Sequence, residues 1–105
     1  MTMDPKQRIR DIVRNNHIVL FMKGTPQFPQ CGFSSRTSEA LKACGCDYST
    51  INVLAEPEIR EHLPAYSEWP TFPQVFINGE LVGGCDIVMD LFRSGQLKKL
   101  TTTAT

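Results

Sequence analysis

The apolar positions of this chain fall into short blocks whose period switches between that of a helix and that of a strand. Ile9, Ile12 and Val13 recur at helical spacing behind Asp4 and Pro5, an N-cap and a first helical position. Asn15-Asn16 ends that run. Ile18 to Met22 is continuously apolar and too short for a buried helix, which predicts a strand covered on both faces. Gly24, Pro26 and Pro29 make the segment up to Cys31 a loop. From Gly32 a second helix is predicted, with Phe33, Thr37, Ala40, Leu41 and Cys44 on its inner face and Gly45 as its stop.

Tyr48 to Asn52 reads as a short strand. Pro57 opens a third helix with Glu56 and Glu58 at its positive end and Ile59, Leu63 and Tyr66 as its inward stripe, and Pro64 is expected to kink or shorten it. Val75-Phe76-Ile77 and Leu81-Val82 flank Asn78-Gly79, a tight-hairpin signal. Ile87, Val88, Leu91 and Phe92 mark a helix that stops at Gly95, with Leu97 and Leu100 adding a last turn. The tail, Thr101 to Thr105, has nothing to bury and is expected to fray. Alternating helices and strands followed by a hairpin predict an α/β fold, a small mixed sheet with helices on both faces. No repeat or linker divides it, so residues 1–105 read as one domain with an ordered core from about residue 6 to residue 100.

Composition narrows the function. A chain of 105 residues can bury a core without disulfide or metal staples. Eleven basic residues balance eleven acidic ones, so no long-range field draws nucleic acid. No apolar stretch approaches the roughly 20 residues needed to span a bilayer. Met1-Thr2-Met3-Asp4-Pro5 lacks the basic and apolar parts of a secretory leader, which predicts a cytoplasmic protein, an organelle matrix being the alternative. In such a compartment Cys31, Cys44, Cys46 and Cys85 read as thiols or metal ligands, not as a disulfide framework.

Cys31 stands between a proline-containing loop and a helix start. Free N–H groups and the helix dipole at that end favour an anion, which makes Cys31 a candidate thiolate: a nucleophile and a soft metal ligand. Lys23, at the end of the first strand, adds positive charge once the sheet folds. Three residues on stands Ser34, so a mixed disulfide on Cys31 cannot be resolved internally as a C-x-x-C pair resolves one. Cys44, on an apolar face, reads as a small buried hydrophobe, and Cys46, past the glycine stop, as an exposed, oxidisable thiol. His17 and His62 stand in no ligand motif, and a structural zinc site is not expected.

Cys31-Gly32-Phe33-Ser34 resembles the CGFS signature of monothiol glutaredoxins. Phe21-Met22-Lys23-Gly24-Thr25 before it, and Trp69-Pro70-Thr71-Phe72-Pro73-Gln74 and Gly83-Gly84-Cys85-Asp86 after it, match as well, over roughly Lys6 to Leu100. The resemblance implies a thioredoxin fold, glutathione binding and a [2Fe-2S] cluster bridging a homodimer, with Cys31 as the protein's ligand. It implies Lys23 and Arg60 as a clamp for the glycine-end carboxylate of glutathione. Thr71-Phe72-Pro73 would be the cis-proline turn whose Phe72 backbone pairs with the tripeptide, and Gly84, Cys85 and Asp86 would hold the γ-glutamyl end. Plain alternatives stand beside these: surface charge for Lys23 and Arg60, an N-cap for Asp86, a fold role for Pro73, packing for Trp69. The implied role is an iron–sulfur carrier in cluster assembly and iron homeostasis, working with BolA-like proteins and acceptor apo-proteins. The alternative is a glutathione-dependent oxidoreductase acting through Cys31 alone, an activity the family has weakly.

Overall fold

The computed structural model describes residues 4–103. The reading of residues 1–3 as part of a leaderless start, and of residues 104–105 as frayed, lies outside the described residues. The order is α1 (Pro5–Asn15), β1 (Ile18–Met22), α2 (Gly32–Ala43), β2 (Ser49–Asn52), α3 (Pro57–Ser67), β3 (Gln74–Ile77), β4 (Glu80–Gly83), α4 (Cys85–Ser94) and α5 (Gln96–Thr103). The strands lie in the order β2-β1-β3-β4. β1 runs parallel to β2 and antiparallel to β3, and β3 pairs antiparallel with β4.

Strand β1 is buried along its whole length because it is central and covered twice. Its side chains alternate between faces. Ile18, Leu20 and Met22 join Leu41 of α2, Val88 of α4 and Leu97 of α5. Val19 and Phe21 join Ile9 and Val13 of α1 and Ile59 and Leu63 of α3. Asn78 and Gly79 both take positive φ, 53° and 80°, as the two-residue turn requires.

Four expectations are corrected. Phe33 is 56% exposed; the inner face of α2 is Ser34, Thr37, Ser38, Ala40 and Leu41, because two serines small enough to lie against the sheet take the place expected for larger side chains. Pro64 does not end α3, which continues to Ser67: burial of Ile59 and Leu63 outweighs one lost backbone hydrogen bond. Ile87 and Phe92 are half-exposed, and Val88 carries the inner face of α4. Thr101 belongs to α5 and is buried, its hydroxyl donating to the carbonyls of Leu97 and Lys98 at 3.0 Å.

Candidate functional site

Cys31 is the N-cap of α2, extended at φ −153° and ψ 133°, half-buried, and its neutral thiol closes no cap hydrogen bond. Its pKa lies below the ordinary thiol value. The backbone N–H of Ser34 lowers it most. Partial burial opposes, and the Phe33 N–H, the Ser34 hydroxyl and the Lys23 charge lower it further. These are the unpaired donors of a helix start directed at the sulfur. Ser34 is fully buried, and its Oγ accepts the Lys23 backbone N–H at 3.1 Å. That bond ties the end of β1 to the first turn of α2.

The loop before Cys31 folds back on the same strand end. Gln30 N–H donates to Lys23 O at 2.9 Å, and Thr25 and Phe28 bond each other's backbones. Gly24, at φ +94°, is required here: a Cβ would lie 2.5 Å from the Phe28 carbonyl oxygen. Asn52 Oδ1, at the end of β2, accepts the N–H groups of Gly24 and Leu54 at 2.9 and 3.0 Å. The Leu54 contact is a local Asx turn, but no sequence signal marks the one to Gly24, which lies 28 residues away.

The opposite wall is the segment between α3 and β3, with a cis bond between Phe72 and Pro73. Gly84 caps α4 without a side chain, and a Cβ there would meet Trp69 Nε1 at 3.0 Å and the Pro73 carbonyl at 3.2 Å. Asp86 therefore lies inside the first turn of α4 and is not its N-cap. Between the walls runs a groove of about 870 Å³. Lys23, Cys31, Arg60, Thr71, Phe72, Pro73, Gly84, Cys85 and Asp86 all line it, so the structure brings the residues that the resemblance assigned to Cys31 and glutathione to one surface, while Cys44 and Cys46 lie elsewhere.

The glutaredoxin family model matches residues 18–82. The chain belongs to the glutaredoxin family. It is 49% identical over 86 residues to a probable monothiol glutaredoxin of Legionella pneumophila, covering 82% of this chain and 97% of that protein. It is 47% identical over 94 residues to glutaredoxin 4 of Escherichia coli, covering 90% and 82%. The solution structure of reduced apo GrxS14 from poplar matches with TM-score 0.81 and 42% identity, covering 94% of this chain and 91% of that one. A buckwheat glutaredoxin–glutathione complex matches with TM-score 0.84 and 32% identity, covering 95% and 89%. The thioredoxin fold is thus shared, and Ser34 makes this a monothiol glutaredoxin.

Other parts of the glutaredoxin were less legible. Trp69 packs on Gly84 and also lines the groove. Cys44 and Cys46 are half-buried beside the α2–α4–α5 core. Cys46 Sγ donates to Leu41 O at 3.3 Å, so the thiol is not openly exposed as the sequence suggested. Burial pushes both pKa values up. No group of three or more histidine, cysteine or acidic side chains stands ready for a metal among the described residues. No helix among them is long and apolar enough to cross a membrane.

Proposed function

We propose that this glutaredoxin binds glutathione in the groove and uses Cys31 to hold a [2Fe-2S] cluster between two protomers, as a cytoplasmic carrier serving cluster assembly and iron homeostasis. The supporting observation is a single charge-favoured thiol at a groove, with Ser34 buried against Lys23 where a resolving thiol would stand. A [2Fe-2S] cluster takes four thiolates. One chain offers Cys31, glutathione offers a second sulfur, and a two-fold dimer doubles both. Half of the ligands then exchange freely, which suits cargo handed to acceptor apo-proteins or shared with a BolA-like partner. Lys23 and Arg60 would clamp one carboxylate of glutathione, the Phe72 backbone its cysteine, and the Gly84-Cys85-Asp86 helix start its γ-glutamyl end.

A second reading rests on the same lowered pKa. Cys31 would attack protein–glutathione mixed disulfides, and a second glutathione would free it. Anaerobic reconstitution with iron, sulfide and glutathione, followed by visible absorption and sizing, tests the carrier. A coloured dimer is expected, and a Cys31→Ser protein that keeps the full cluster refutes the ligand assignment. High mixed-disulfide turnover by the apo protein, without stable cluster, would establish the second reading instead.

A further inference from the structure

Gln74, the first residue of β3, is fully buried and follows the cis Phe72–Pro73 bond directly. Its side-chain amide donates to Trp69 O at 2.9 Å and to Thr71 O at 3.1 Å. Both amide hydrogens are thus spent on one stretch of chain, residues 69–71, which belongs to no helix or strand. That stretch is one wall of the groove. Gln74 Oε1 and Trp69 Nε1 are the buried side-chain polar atoms without a partner among the described residues. A methionine of similar volume would fill the space but make neither hydrogen bond. The polar contacts the side chain does make are those of its two hydrogens.

What they do follows from peptide planarity. The Thr71–Phe72 bond is trans, the one cis bond among the described residues being Phe72–Pro73. In a trans peptide the carbonyl and the next N–H point in opposite directions. Thr71 O is drawn inward to a buried side chain, so the Phe72 N–H of the same plane is turned outward, on the side where Phe72 lines the groove. We propose that Gln74 is the positioning residue of the glutathione site: by holding the Thr71 and Trp69 carbonyls inward, it aims the Phe72 N–H at the backbone of the bound tripeptide. This rests on the glutathione reading above. Gln74 touches no ligand itself and acts through the peptide plane, so its loss would weaken tripeptide binding while leaving the electrostatics at Cys31, on the other wall, unchanged.

Calorimetric titration of the apo protein with glutathione tests this, beside the pH dependence of Cys31 alkylation. Gln74→Met is expected to bind glutathione about tenfold more weakly, with the Cys31 alkylation midpoint unmoved. Gln74→Glu sets a carboxylate against two carbonyls, and protonation returns one donor. Its affinity is expected to improve from about pH 7.5 to about pH 5.5 more than the wild-type affinity does. Wild-type binding with an equal dissociation constant in folded Gln74→Met overturns the positioning role alone. Absence of wild-type binding overturns both it and the glutathione reading. Should Gln74→Met not fold, amide NMR of the wild type decides. Slowly exchanging Gln74 side-chain protons and a Phe72 amide that shifts on glutathione addition are expected; a Phe72 amide indifferent to bound glutathione refutes the proposal.

Discussion

The two ends of helix α2 carry cysteines whose pKa values are shifted in opposite directions. At the N-terminus, Cys31 meets the Ser34 and Phe33 N–H groups and the Lys23 charge, and its pKa falls. At the C-terminus, Cys44 is the C-cap and Cys46 follows one glycine later. There burial dominates and both pKa values rise, despite Lys98 beside Cys44, and Cys46 Sγ donates to the Leu41 carbonyl. Helix polarity supplies the fall at Cys31, because unpaired N–H donors project from the N-terminal end. Burial, which outweighs every other cause at Cys44 and Cys46 but not at Cys31, supplies the rest. The pKa of a thiol here follows its place on the helix rather than its residue type.

The sharpest way to break this contrast is to remove either thiol. Cys31→Ser should abolish cluster retention and alkylation by iodoacetamide near neutral pH. Cys46→Ser should leave both intact, as read by absorption and peptide mass spectrometry. Loss of cluster in Cys46→Ser would contradict the division of labour. Ser34→Ala comes next. It leaves the Lys23 N–H without its acceptor and takes a hydroxyl from the thiolate, so a stability loss of about 1–3 kcal/mol is expected, with slower Cys31 alkylation. Urea midpoints and labelling rates check it; unchanged labelling would remove the hydroxyl from the account.

Glycines at the two ends should behave unequally. Gly45 holds φ +72°, so Gly45→Ala is expected to cost about 1 kcal/mol although nothing crowds its Cβ. Gly32, helical and uncrowded, should tolerate alanine or gain up to about 0.5 kcal/mol. Thermal melts compare the pair. The smallest effect is that of pH. Cys31, lowered in the folded state, binds fewer protons folded than unfolded, so its contribution grows as pH rises to the unfolded thiol value of about 8.5 and is lost as pH falls through the folded pKa. Cys44 and Cys46 have the opposite sign: their contribution is full below about pH 8.5 and is lost as pH climbs through their raised values. Urea midpoints across that range should diverge in these directions between Cys31→Ser and Cys46→Ser.

Local rules made much of this legible. β1 was readable as doubly covered because five consecutive apolar residues leave no polar face. The hairpin was readable because Asn78-Gly79 tolerates two positive φ angles. Phe33 misled, since a large apolar residue at a helix start can overhang the groove while Ser34 and Ser38 go inside. The C-terminal tail misled in the opposite way. Thr101 looked unable to bury anything, yet its hydroxyl bonds backward along α5 and needs no partner from elsewhere.

By itself, the sequence determined the order of elements from α1 to α4, though it gave only a last turn where α5 stands, and also the helix-start thiol, the missing second thiol and the residue types around them, because each depends on neighbours within a few positions. Only the tertiary structure decided that Gln74 braces the cis-proline wall from inside and that Asn52 holds the loop at Gly24. It also gathered Lys23 from just past β1, Arg60 from α3 and Asp86 from α4 around one groove. Those arrangements are set by the packing of β1 and β3 between two helical layers, which brings distant residues together at angles that no local pattern encodes.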